Sequence, residues 1–198
     1  VPTASIPSTP DRKVQIELEA ARLFRDRGYP ATSMRHLAQT IGMEAASLYN
    51  HFRSKEEILK AICFSIADEF LAAQEAAIEA HRDDPETALR ACILAHIQVV
   101  IRNLDSAAVF FQDWRHLSEP SLSAFRGLRR TYQNRYRALI ADGIRKNAFR
   151  PVDEKFAAMT LLSALNMIHE WYKPEGSKAI DDIGHEMGHI LLYGLKTP

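Results

Sequence analysis

His185-Glu186-Met187-Gly188-His189 fits the HExxH spacing of zinc proteases. Two imidazoles one helical turn apart would hold the metal, and the Glu between them would activate a bound water. That chemistry needs a third ligand, and no Asp, Glu, His or Cys follows His189. Asp181 and Asp182 lie one turn upstream on the same helix, a poor place from which to complete a tetrahedron. A zinc hydrolase is therefore a distant alternative, and the expectation is no catalytic residue, no metal site and no cofactor. No Gly-rich phosphate loop or GxSxG elbow argues otherwise.

A second set of residues suits a polyanion. Lys+Arg 25 balances Asp+Glu 25 over the chain, but residues 1–55 hold eight Lys and Arg against five Asp and Glu. The small residues Ala45 and Ala46 and the polar Ser47, Tyr49, Asn50 and His51 follow a glycine at 42. Small side chains let a helix backbone approach a DNA groove closely, and hydroxyl, amide and imidazole groups suit phosphates and base edges.

Helices are needed to present these groups. The 198 residues fit one domain or a small one fused to a larger one. Residues 1–10, VPTASIPSTP, read as a flexible arm, closed by a Thr9-Pro10 cap. Beyond them apolar residues recur every three or four positions and no segment alternates like a strand, which predicts an all-α fold of about nine helices. Helix starts are marked by Thr32 or Ser33, by the Ser54–Glu57 capping box, by Asp84-Pro85, by Asp105, by Glu119-Pro120 and by Asp153. The sixth helix is expected to run to Leu117, the eighth over 153–172 and the ninth over 178–195. Leu37, Ile41 and Leu48 face inward, small Ala38 allows a close crossing, and Gly42 supplies the positive φ of a sharp turn. The expected organisation is a helix-turn-helix head over 11–53 on a helical body over 54–198.

Ala21-Arg22-Leu23-Phe24, Arg27-Gly28-Tyr29, Thr32-Ser33-Met34-Arg35, Leu37-Ala38, Gly42 and Ser47 to Glu56 together resemble the head of the tetracycline-repressor (TetR) family. The resemblance implies a homodimeric repressor of a double-stranded DNA operator whose body binds a small effector. Position by position it implies phosphate contacts from Thr32, Ser33, Tyr49, His51 and Lys55, and base reading by Arg35, Ala45, Ala46, Ser47 and Asn50. Glu44 departs from the family's usual Ser or Thr. Its carboxylate can cap the helix or accept from cytosine N4, but it repels phosphate.

In the body, Phe110, Phe111 and Trp114, then Phe125, Leu128, Tyr132 and Tyr136, form apolar stripes in two successive helices. With His96, Gln98, Val100, Leu162, Asn166 and His169 they describe an apolar pocket bearing a few polar groups. Val109 to Leu117, Arg129…Tyr132…Arg135, Ala148-Phe149-Arg150-Pro151 and Trp171-Tyr172-Lys173-Pro174 resemble a branch of the family that controls fatty-acid and steroid catabolism. That resemblance implies an acyl-CoA effector, whose phosphates Arg126, Arg129, Arg130 and Arg135 are available to meet; a multidrug or other apolar ligand is the alternative. Asn147 stands where the branch often has Gly, and tolerates the same left-handed backbone. Wide apolar faces on the last two helices, with Gly184 and Gly188 beside one of them, suggest a dimer seam. The fourth helix links head to pocket and is expected to transmit effector binding. No run approaches the roughly 18 apolar residues of a membrane span. Cys63 and Cys92 lack CxxC spacing, so a reduced cytoplasm is expected.

Overall fold

A computed structural model describes residues 12–194, so the arm over 1–10 and its cap lie outside the described residues. Among the described residues all regular structure is helical. Three short helices come first: α1 (Arg12–Arg27), α2 (Met34–Ile41) and α3 (Ala45–His51). Ser33 caps α2, its Oγ accepting from the His36 N–H at 3.2 Å. Gly42 closes α2 at φ 70°, a left-handed turn that lets the Met43 N–H reach the Ala38 carbonyl at 2.8 Å. Leu37, Ala38 and Leu48 are buried together with Ile16 and Phe24 of α1, as the inward spacing requires.

The body begins with α4 (Lys55–Ala80), whose 26 residues extend about 39 Å. Ser54 Oγ accepts from the Glu57 N–H at 3.1 Å, and the Glu57 carboxylate returns to the Arg53 N–H at 2.6 Å. Asp84 likewise caps α5 (Pro85–Arg102), the central helix, through the Glu86 and Thr87 N–H groups. Then follow α6 (Leu104–Gln112), a 3-10 turn (Trp114–His116), α7 (Ser121–Arg145), α8 (Glu154–Asn166), α9 (Ile168–Trp171) and α10 (Ile180–Tyr193). Helix α4 packs on α5, α6 and α7, while α1 rests on α6. Among the described residues no single helix is long and apolar enough to cross a membrane.

The boundaries differ from expectation in three places. Asp105 does not cap α6, because its carboxylate is paired with Arg25 of α1; Asn103 holds the cap position instead. The sixth helix stops at Gln112 and tightens into the 3-10 turn rather than running to Leu117. The eighth breaks at Met167, where the His169 ring takes the Asn166 carbonyl at 2.7 Å.

Gly184 also needs correction. A Cβ there would lie 2.5 Å from Leu94 Cδ1, so this glycine admits α10 onto α5 of its own chain, not onto a partner. A Cβ at Gly188 would meet nothing within 4 Å. A tighter approach is at Gly143, over which the chain reverses after α7. Asn147 takes φ 60°, and the Ala148 and Phe149 N–H groups both reach the Gly143 carbonyl. The Phe149 ring then covers Gly143 so closely that a Cβ would fall 2.1 Å from Cδ2. Gly143→Ala is expected to displace that ring at a cost of about 1–3 kcal/mol. At this chain length that lowers Tm by roughly 2–4 °C per kcal/mol, read by thermal unfolding. An unchanged Tm would show that Phe149 yields freely.

Candidate nucleic-acid interface and effector cavity

Along α2 and α3 and their caps, Ser33, Arg35, Glu44, Ala46, Tyr49 and Asn50 are exposed, and Ala45, Ser47 and His51 are half-buried. Two of the expected phosphate contacts are engaged elsewhere. Thr32 is buried, and its hydroxyl donates to the Gly28 carbonyl at 3.0 Å. The Lys55 ammonium turns inward, donating to the Tyr29 and Thr32 carbonyls, both at 2.7 Å, and lying 4.1 Å from the Tyr29 ring centroid. Burial lowers the Lys55 pKa from its ordinary value. The face therefore keeps Arg35 and the polar residues of α3, while Thr32 and Lys55 build the turn beneath it.

That turn is also where the head meets the body. Tyr29 stacks on His116 of the 3-10 turn, centroids 5.1 Å apart. Within the body beside it, the Glu56 carboxylate of α4 accepts from the Ser118 N–H at 2.7 Å and from its hydroxyl at 3.1 Å. Arg25 reaches Asp105 on α6. Both α4 and α6 are thus tied to the head.

The same two helices wall a cavity of about 30 Å³, space for roughly two waters. Of the expected pocket residues, His96, Phe110, Phe111, Tyr132, Leu162 and Asn166 line it. Val100, Phe125 and Tyr136 are core instead, the Tyr136 hydroxyl donating to the Cys92 carbonyl at 3.0 Å. Gln98 lies half-buried away from the cavity, and His169 stacks behind Phe111 at 5.2 Å. Sequence reasoning missed Ala67, Phe70 and Leu71 of α4 and Gln133 of α7. Phe70 is the hub: His96, Phe110, Tyr132 and Phe111 ring centroids lie 4.6, 5.3, 5.5 and 6.0 Å away. Its spacing from Ile62 and Ile66 marks an inward stripe, but the helix reads from sequence only as a connector.

His96 Nδ1 pairs with the Tyr132 hydroxyl at 2.9 Å, and Nε2 faces the Leu165 carbonyl without a hydrogen bond of normal geometry. Burial drives its pKa down to about 3, so the imidazole is neutral. Burial likewise pushes the free Cys63 and Cys92 thiols up to about 12.

Trp114 does not line the cavity but stands beside it. The guanidinium carbons of Arg129, Arg115 and Arg126 lie 4.7, 4.8 and 5.8 Å from its ring centroid. Among the described residues none of these three arginines has a carboxylate partner. Arg129 also lines the cavity; burial, then the adjacent Arg115 charge, lower its pKa. Arg135 is occupied by the Leu71 carbonyl and Glu75. His185, Glu186 and His189 are exposed on α10, with Glu186 paired to Lys178 and His189 against Tyr193. Among the described residues no three His, Cys, Asp or Glu are grouped to hold a metal.

The neutral His96 makes stability pH-dependent. Its folded pKa lies below that of the unfolded chain, near 6.5, so the unfolded state binds the extra proton and acid destabilises the fold. Between pH 7 and pH 5.5 that is worth about 1 kcal/mol. Urea unfolding of His96→Gln should show a pH dependence flatter by this amount; an identical slope in the two proteins would refute it.

Two segments of the chain match known families. The family described as bacterial regulatory proteins, tetR family, matches residues 18–62, and the tetracyclin repressor-like C-terminal domain matches residues 82–195. The transcriptional repressor KstR2 of Rhodococcus jostii (strain RHA1) is 25% identical over 189 residues, covering 94% of this chain and 92% of that one. The crystal structure of the TetR-family regulator PfmR of Thermus thermophilus is 33% identical with a TM-score of 0.86, covering 96% of this chain and all 100% of that one. AibR, solved with isovaleryl coenzyme A and operator DNA, is 28% identical with a TM-score of 0.79, covering 92% and 98%. The chain belongs to the TetR family of DNA-binding transcriptional regulators and is a regulator, not an enzyme.

Proposed function

We propose that the protein is a cytoplasmic, homodimeric repressor released from a two-fold symmetric operator by an acyl-CoA thioester. Residues 11–53 are the operator-binding head and 54–198 the effector and dimer body. The observation that carries this reading is the aromatic cavity with three unpaired arginines gathered on Trp114 at its side. Apolar walls suit an acyl chain, and clustered guanidinium groups suit the phosphates of coenzyme A. The relative AibR was solved with isovaleryl coenzyme A, which favours the same class. For the seam, Phe156, Met159 and Met167 expose one apolar stripe along α8 and its end, with Trp171 of α9 and Ile190 and Tyr193 of α10 nearby; Phe156 is 71% exposed. A second chain laid on this surface buries it in a four-helix arrangement.

In this reading the acyl chain enters between α4, α6 and α7, and both α4 and α6 carry the displacement to the head. Acyl-CoAs are expected to raise Tm and release bound operator, while the matching free acids do neither at equal concentration. Arg129→Ala should weaken the acyl-CoA response about tenfold or more yet bind operator normally without effector. Equal responses to free acids or neutral apolar drugs would favour the multidrug alternative.

Lys55 supplies a separate test of how the head is built. Lys55→Ala leaves the Thr32 carbonyl without this donor, while the Tyr29 carbonyl keeps the Thr32 N–H at 3.2 Å, a cost of about 1–3 kcal/mol. Tm should fall while the salt dependence of DNA binding keeps its slope. A slope reduced by about one unit with unchanged Tm would instead place Lys55 on a phosphate.

A further inference from the structure

Glu44 immediately precedes α3 in extended backbone, φ −69° and ψ 144°, and its side chain makes no capping hydrogen bond to the helix. It is exposed, and among the described residues it forms no ion pair. Of its two expected roles, capping is not the one it performs. The residues after it, Ala45, Ala46 and Ser47, are short, so their side chains do not hold a duplex away from the carboxylate.

An ionised carboxylate only accepts hydrogen bonds. Phosphates repel it and the DNA sugars offer it no donor. In the major groove two donors exist, cytosine N4 and adenine N6. Adenine presents its N7 acceptor beside N6, which opposes the second carboxylate oxygen, whereas cytosine presents only a carbon-bound hydrogen beside N4. We propose that Glu44 selects a cytosine in each operator half-site by accepting a hydrogen bond from its N4 amine. This rests on the reading of α3 as the helix that enters the groove. The carboxylate thereby rejects most DNA by charge and is compensated at one base, so it contributes to discrimination more than to affinity.

Selection from random duplexes by the intact protein, followed by titration of the recovered sites, tests the assignment whatever the operator sequence. Wild type should demand one cytosine per half-site by about tenfold or more. Glu44→Ala should lose that demand alone and bind random DNA more tightly. Glu44→Gln should shift it to adenine, whose N6 and N7 match a carboxamide. Since Glu44 is exposed and makes no capping bond, both variants keep the fold, which circular dichroism verifies. If Glu44→Ala retains every base preference of wild type, the assignment to Glu44 is overturned while the DNA-binding reading stands. If wild type enriches no symmetric site, the groove-binding reading falls and takes the assignment with it.

Discussion

One ammonium group fixes where the head sits. Lys55 opens the first long helix of the body, yet its Nζ is held by the carbonyls of Tyr29 and Thr32, in the turn between α1 and α2. Turn carbonyls partly removed from water need donors, and a charged donor satisfies them more strongly than a neutral one. The Tyr29 ring completes the seat from one side and stacks on His116 from the other. A cation, a phenol and an imidazole therefore join three segments that are distant in sequence. That joint ties the α1–α2 turn to α4 and to the 3-10 turn, beside the packing of α1 on α6.

The joint explains why the head is legible in the sequence while the partners of Thr32 and Lys55 are not. Gly42, Ala38 and Leu48 act locally, within a few residues, and their types state their roles: a left-handed turn, a close crossing and a buried anchor. Thr32 and Lys55 have side chains equally suited to a phosphate or a carbonyl. Which of these they meet depends on α4 lying over the α1–α2 turn, a long-range arrangement that no local pattern encodes. Asp105 misleads for the same reason: an acid at a helix start looks like a cap until Arg25 arrives from another helix.

In the body the apolar stripes are visible, but a stripe does not say which of its members meet a void and which meet neighbours. Leu128 and Tyr132 face the cavity while Phe125 and Tyr136, on the same stripe of α7, are core. The difference arises where α4, α5, α6 and α7 converge, and Phe70 occupies the point of convergence. Arg126 and Arg129 are visible in the sequence only within a run of basic residues, ordinarily a solvated face. Folding brings them together with Arg115 onto one indole, and like charges so placed repel until an anion joins them.

The cavity holds about 30 Å³, room for roughly two waters. Whatever enters must part the aromatic walls, and one of those walls, α6, is also the platform on which α1 rests. A compound small enough to lodge without parting them would occupy the site and leave the head undisturbed. On the proposed function, signalling competence is graded by the mechanical work a guest performs on its host, separately from how tightly it is held. Tight-binding silent guests and weak-binding potent ones are both natural products of such a design.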